Sequence, residues 1–167
     1  MKPAELVTHT LGPVWDSRSR VLILGTMPSP ASRAQGFYYG HPQNRFWKVL
    51  AAVLEQQEPS ATPDARRAFV LQNGIALFDV LQSCEIVGAA DASIRKGMPN
   101  DFGKIFAGAE IRGVFTTGAK AYALYESLCR KQTGRPAVSL PSTSAANCRM
   151  PLGELIRRYR VLREYLE

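Results

Sequence analysis

Val21-Leu22-Ile23-Leu24-Gly25 is a run of four aliphatic residues closed by glycine. It is apolar at every position and too short for an independent helix. A strand without polar alternation has both faces covered, so this run reads as a central strand of a parallel sheet. Ile75-Ala76-Leu77-Phe78, Gly113-Val114-Phe115-Thr116-Thr117 and Ala137-Val138-Ser139-Leu140 share its character. Four such runs with helical patterns between them predict an α/β fold around a four-stranded, mostly parallel sheet.

The helical patterns follow the spacing of apolar residues. Phe46, Trp47, Leu50, Val53 and Leu54 recur at intervals of three and four, predicting a helix that starts near Asn44 or Arg45 and ends before Pro59. Thr62-Pro63-Asp64 combines an N-cap, a first-turn proline and a first-turn acid, opening a helix that stops at Asn73-Gly74. Lys120 to Arg130 reads as a helix burying Ala121, Leu124, Tyr125 and Leu128. The segment from Pro151 reads as one amphipathic terminal helix, with Leu152, Leu155, Ile156, Tyr159, Leu162 and Leu166 on its apolar face. Two prolines in Thr26-Met27-Pro28-Ser29-Pro30 exclude helix and predict a long loop to Gly40. Asp79 to Asp101 is irregular, with Asn100 a candidate cap for a short helix carrying Ile105 and Phe106.

At 167 residues and 46% hydrophobic content, the chain suits a single domain spanning residues 1–167. No apolar run approaches membrane length, so no membrane partner is expected. Cys84, Cys129 and Cys148 stand far apart without a CxxC pair, which excludes the usual zinc and iron–sulfur spacings. No metal and no cofactor are expected. The odd cysteine count and an N-terminal stretch mixing Lys2, Glu5 and His9 with apolar residues point to a reducing cytoplasm. A monomer is expected. The 21 basic residues outnumber 14 acidic ones, giving a net charge of +7 that favours a polyanion, although a solvated basic surface accounts for it equally well.

In parallel α/β sheets ligands lie beyond the carboxyl ends of the strands. Two loops of unusual composition belong there, residues 25–44 and 141–150. The first holds Gly25-Thr26-Met27-Pro28-Ser29 and then Gly36-Phe37-Tyr38-Tyr39-Gly40-His41-Pro42-Gln43-Asn44-Arg45-Phe46-Trp47. These stretches resemble the first motif of the uracil-DNA glycosylase superfamily, most closely its hypoxanthine-DNA glycosylase branch. Leu140-Pro141-Ser142-Thr143-Ser144-Ala145-Ala146-Asn147 is similar to the second motif of that branch, and Leu77-Phe78-Asp79-Val80-Leu81 and Asp91-Ala92-Ser93-Ile94-Arg95 extend the likeness along the chain. The resemblance implies a three-layer α/β/α sandwich and a monofunctional DNA N-glycosylase. Such an enzyme flips a deaminated base, here hypoxanthine, out of DNA and excises it by hydrolysis. The alternatives are excision of uracil from G:U mismatches, or a catalytically weak member that binds damaged DNA. A third class, a nucleotide-binding phosphate loop at Gly25 to Pro30, lacks the lysine and the glycine spacing that such loops need.

A flipped base needs an aromatic face and polar groups at its edge. The resemblance places Tyr39 at the stacking position, and alternation in an extended run would turn Phe37 the same way and Tyr38 the other. The same aromatics could equally form a core cluster under the loop. Hydrolysis needs a held water and donors aimed at the leaving base. In the hypoxanthine branch Asn44 stands at the catalytic position, while its residue type and place also suit a helix N-cap. Main-chain N–H groups of Thr26 and Met27 are candidate donors. Relatives carry Asn or Asp where this chain has Met27, and a thioether orients water poorly. His41 is a candidate for base or phosphate contact or for buttressing the loop, and Asp79 for a pocket polar group or a turn cap. Ser142, Thr143, Ser144 and Asn147 offer small polar groups for DNA, with Arg149 beside them, or else form a turn and a helix cap. The branch has Pro and Ala where this chain has Ala145 and Cys148, and no bulky wedge residue stands in this loop.

Overall fold

The computed structural model describes residues 3–167, so Lys2 of the N-terminal stretch lies outside the described residues. The first half contains β1 (Glu5–Thr8), β2 (Val21–Gly25), α1 (Pro30–Gln35), α2 (Phe46–Leu54) and α3 (Pro63–Gln72). Then come β3 (Ile75–Asp79), β4 (Leu81–Ile86), β5 (Arg95–Pro99), α4 (Gly103–Gly108) and β6 (Gly113–Thr117). α5 (Ala119–Leu128), α6 (Arg130–Thr133), β7 (Ala137–Leu140), α7 (Leu152–Tyr159) and α8 (Arg163–Leu166) complete the chain.

The four apolar runs pair in the order β3-β2-β6-β7, and every pairing is parallel. All five residues of β2 are buried, as a strand covered on both faces requires. From β2 the chain moves first to β3 and later back across to β6 and β7. With right-handed crossovers this reversal sets α2 and α3 on one face and α4 and α5 on the other. α7 packs against α2. The result is a sheet between helical layers, with a topological switch point between β2 and β6. The outer edge of β3 is covered where Val14 and Leu77 exchange both main-chain hydrogen bonds at 2.9 Å.

Several expectations are corrected. The stretch Asp79 to Asp101 is not irregular: β4 pairs antiparallel with both β1 and β5 in a second, three-stranded sheet. α1 forms despite its proline, because Pro30 occupies the first turn, where its missing N–H is no loss. Ser29 caps it, its Oγ accepting from the Ser32 N–H at 3.1 Å. Asn100 caps no helix; its Nδ2 donates to the carbonyls of Asp79 and Leu81 at 2.9 and 3.1 Å. The terminal segment is divided among α7, a 3₁₀ turn and α8 rather than forming one helix. The helix expected from Lys120 to Arg130 is α5, and Cys129 separates it from α6. Thr62 caps α3 and Gly74 (φ 72°) stands just beyond its end, both as read from the sequence. Among the described residues no helix is long and apolar enough to cross a membrane.

Candidate functional site

A cavity of about 880 Å³ opens at the carboxyl ends of β2, β3 and β6. Its walls include the segments after β2 and β7, and Val7 and Ile86 of the second sheet close one side. The stretch expected to be irregular thus supplies part of a wall of the site, through Ile86.

Tyr39 lines the cavity with one ring face stacked on Phe46, centroids 3.8 Å apart and planes within 8°. Phe46 is fully buried at the start of α2, so it backs the tyrosine ring rigidly. The tyrosine backbone is left-handed (φ 52°), an uncommon conformation for a side-chain-bearing residue. Its carbonyl accepts from the Trp47 indole N–H at 3.2 Å, which helps to hold the turn. Its hydroxyl is 3.3 Å from Thr117 Oγ1. Desolvation, then the nearby Asp79 charge, push the phenol well above its ordinary range and keep it neutral.

The expected alternation of aromatics does not occur, because Gly36 to Tyr39 form turns rather than an extended strand. Tyr38 and Tyr39 both reach the cavity wall. Phe37 is not on that wall. It is buried in the core, stacked on Trp47 with centroids 6.1 Å apart and with the Arg67 guanidinium 5.6 Å from its ring centre. For Phe37 the core-cluster alternative is what the fold contains.

Asn44 lies on the cavity wall just before α2. Its Oδ1 accepts from the Phe46 N–H at 2.9 Å and from the Thr143 hydroxyl at 2.8 Å. The Phe46 N–H can only donate, which fixes the orientation of the amide. Both lone pairs of Oδ1 are thereby used. Among the described residues Nδ2 has no hydrogen-bond partner, so the amide can meet a guest only as a donor. The N-cap position of α2 is Arg45, without a side-chain capping bond, so Asn44 is not the expected N-cap; it instead combines a bond to the first N–H of the helix with a free donor.

Asp79, at the end of β3, is buried on the cavity floor. His9 Nε2 is 2.8 Å from its Oδ2. Burial pushes the carboxyl above the usual range, and the hydrogen bond and charge of His9, followed by the Gly25 backbone, pull it back down. Thr26, Met27 and His41 also line the cavity. His41 is solvent-exposed, and its Nδ1 accepts from the Gln43 N–H at 3.1 Å.

From the second loop Ser142, Thr143, Ser144 and Asn147 reach the wall, whereas Arg149 is exposed and away from it. Asn147 Nδ2 is committed to the Ser142 carbonyl at 2.9 Å, and Ser144 Oγ caps the following turn by accepting from Ala146 N–H at 3.2 Å. Sequence reasoning missed three supporting residues. Ser32 Oγ, buried, accepts from the Gly40 N–H at 2.9 Å and shapes the first loop. His9 and Asp79 are 70 residues apart, and nothing local marks their pairing. Arg45 donates to the carbonyls of Met150 and Asn147 at 2.7 and 2.9 Å, which ties the second loop to α2. Its partners are main-chain atoms, which leave no trace in side-chain types.

Losing those two charge-assisted bonds leaves two carbonyls of the loop without their guanidinium. Arg45→Ala should cost about 2 kcal/mol and lower Tm by several degrees. Hydrogen exchange should quicken selectively over residues 141–150. Unchanged Tm and unchanged exchange there would show that the arginine does not hold the loop.

An aromatic face, an amide donor and a buried carboxylate converging at the switch point of a parallel sheet define an α/β protein with a ligand site where such folds carry theirs. The model of the Uracil DNA glycosylase superfamily matches residues 13–166, and the chain belongs to that superfamily. Two archaeal proteins named hypoxanthine DNA glycosylase are similar to it. The one from Methanosarcina barkeri is 31% identical over 137 residues, 82% of this chain and 86% of that protein. The one from Methanosarcina acetivorans is also 31% identical over 137 residues, 81% of this chain and 85% of that protein. The solution NMR structure of a candidate uracil DNA glycosylase from Methanosarcina acetivorans matches with TM-score 0.78 and 27% identity, over 95% of this chain and 99% of that one.

Proposed function

We propose that this protein is a monofunctional DNA glycosylase that takes a flipped, deaminated base, hypoxanthine, into the cavity and hydrolyses its bond to deoxyribose. The observation that carries the reading is the convergence of the Tyr39 face, the Asn44 donor and the Asp79 carboxylate on one cavity. A volume of about 880 Å³ admits a purine nucleoside with room for water. The names of the two Methanosarcina relatives favour hypoxanthine over uracil.

As the glycosidic bond breaks, the sugar gains positive charge and the base negative charge. Tyr39, backed by Phe46, stacks on the base and fixes its plane. Asn44 Nδ2 donates either to an acceptor atom of the leaving base or to the oxygen of the attacking water, since Oδ1 is already engaged. The burden falls on this amide because Met27 offers no hydrogen-bonding group of comparable strength. Lys120 and Arg33 on the cavity wall, with the net positive charge, suit phosphates flanking the flipped nucleotide. The 167 residues act as one domain on one strand-embedded base.

The reading is tested with duplexes carrying a single hypoxanthine, uracil or xanthine, incubated with the protein and chelator and then treated with alkali. Cleavage independent of added metal and strongest at hypoxanthine is expected. Preference for uracil would reassign the substrate. Tight binding without any product would make the protein a damage-binding member of the family.

A further inference from the structure

Asp79 does not face the cavity as a free carboxylate. His9 Nε2 sits 2.8 Å from Oδ2, and the His9 side chain is almost wholly buried. The imidazole is held between aromatic neighbours, with Phe78 edge-on at 5.2 Å and Tyr38 at 6.0 Å between ring centres, so it cannot readily turn away. His9 is absent from the cavity wall while Asp79 and Gly25 are part of it. The oxygen held by His9 therefore points behind the wall. The other, Oδ1, lies over Gly25, so close that a Cβ built there would be 2.6 Å from it. Oδ1, beside the Gly25 backbone, is thus the oxygen that can face a guest.

That single acceptor matters for a purine. Hypoxanthine carries one ring donor on its pairing edge, N1–H. Guanine differs only by an added 2-amino group, so N1–H and N2–H point side by side and match both oxygens of a freely turning carboxylate. A carboxylate that presents one acceptor pairs hypoxanthine fully and leaves the guanine amino group buried without a partner. On the reading of the cavity as a base site, we infer that His9 is a specificity-determining positioning residue. It turns Asp79 so that a single oxygen accepts the N1–H of hypoxanthine, and guanine, an undamaged purine that shares this N1–H, is refused.

His9 also favours the ionised form of Asp79, since its hydrogen bond and charge oppose the larger upward effect of burial on the carboxyl. The other titratable groups around Asp79 are Tyr38 and Tyr39 on the turn after α1, and Asp91 from the 3₁₀ turn between β4 and β5. Both tyrosines are pushed upward, first by desolvation, and stay neutral. Asp91 adds negative charge and lies near Lys120. Without His9 the carboxyl titrates at higher pH, and the acid limb of base binding moves up with it.

Binding of free bases tests this without requiring excision, so it is distinguishable from failure of the proposed activity. Calorimetry with hypoxanthine, guanine and 1-methylhypoxanthine should show wild-type preference for hypoxanthine over guanine of about tenfold or more. It should show no comparable binding of 1-methylhypoxanthine, which lacks the N1–H. His9→Phe keeps a ring between Phe78 and Tyr38 but removes the donor. It should bring the hypoxanthine-to-guanine ratio close to one and raise the pH at which hypoxanthine binding is lost. His9→Gln, which restores an N–H, should recover part of the ratio. If His9→Phe does not fold, the same ratio and pH profile are read on His9→Leu, with the same outcomes expected. Equal binding of hypoxanthine and 1-methylhypoxanthine, or a folded His9→Phe or His9→Leu with unchanged ratio and unchanged pH profile, overturns the inference.

Discussion

Replacing Asn44 by alanine is expected to lower the single-turnover rate of base excision by about 10²–10³, the scale of removing one preorganised donor from a charge-developing transition state. The substitution also removes the acceptor for the Phe46 N–H and the Thr143 hydroxyl, so it should cost about 1 kcal/mol of stability as well. Asn44→Asp separates the two effects. A carboxylate can still accept from Phe46 and Thr143, while the group turned to the cavity changes from donor to acceptor. The aspartate variant should therefore melt near the wild-type temperature yet lose activity as the alanine variant does. Wild-type rates in Asn44→Asp would remove the donor role from the mechanism. Rates should be read under saturating enzyme, so that chemistry rather than product release is measured.

Gly25→Ala is expected to be the more damaging of two glycine-to-alanine changes that alter the same number of atoms. At position 25 the new methyl would sit 2.6 Å from Asp79 Oδ1 and 3.6 Å from the Tyr39 hydroxyl. The carboxylate cannot yield easily, because it is buried and its other oxygen is held by His9. Overpacking of this kind costs on the order of 1–3 kcal/mol, or several degrees in Tm for a chain of this length. The methyl also covers the acceptor on the cavity floor, so excision should fall at least about a hundredfold even where the variant is folded. Gly153→Ala is the matched control, since its Cβ meets nothing within 4 Å. Near-normal excision by a folded Gly25→Ala would mean that the floor beside Asp79 is not where the base rests.

The parallel sheet was legible because its strands are covered on both faces and so consist of unbroken apolar runs. β2, β3, β6 and β7 lie where those runs lie. The second sheet was not legible. β1 buries only Val7, and β5 is Arg95-Lys96-Gly97-Met98-Pro99, largely exposed; such strands are defined by their partners rather than by their own residues. α1 was misread through Pro30, a helix breaker only after the first turn. At the site, the placement of Asn44 and Tyr39 on one wall followed from family motifs, which local residue order preserves. The burial of Phe37 did not follow, since the left-handed turn at Tyr39 broke the assumed alternation. His9 and Arg45 act through contacts 70 and more residues away in the chain, and such pairings exist only once the fold does.

The tie between Arg45 and the loop after β7 spans 102 to 105 residues. As the chain is synthesised, the Tyr39 and Asn44 segment emerges long before the carbonyls of Asn147 and Met150 that steady it, and before Thr143, which orients the Asn44 amide. The cavity therefore depends on contacts of high sequence separation, which cost loop-closure entropy before they are rewarded. A chain that has the sheet but lacks residues 143–150 would lack the contacts that steady the Tyr39 and Asn44 segment.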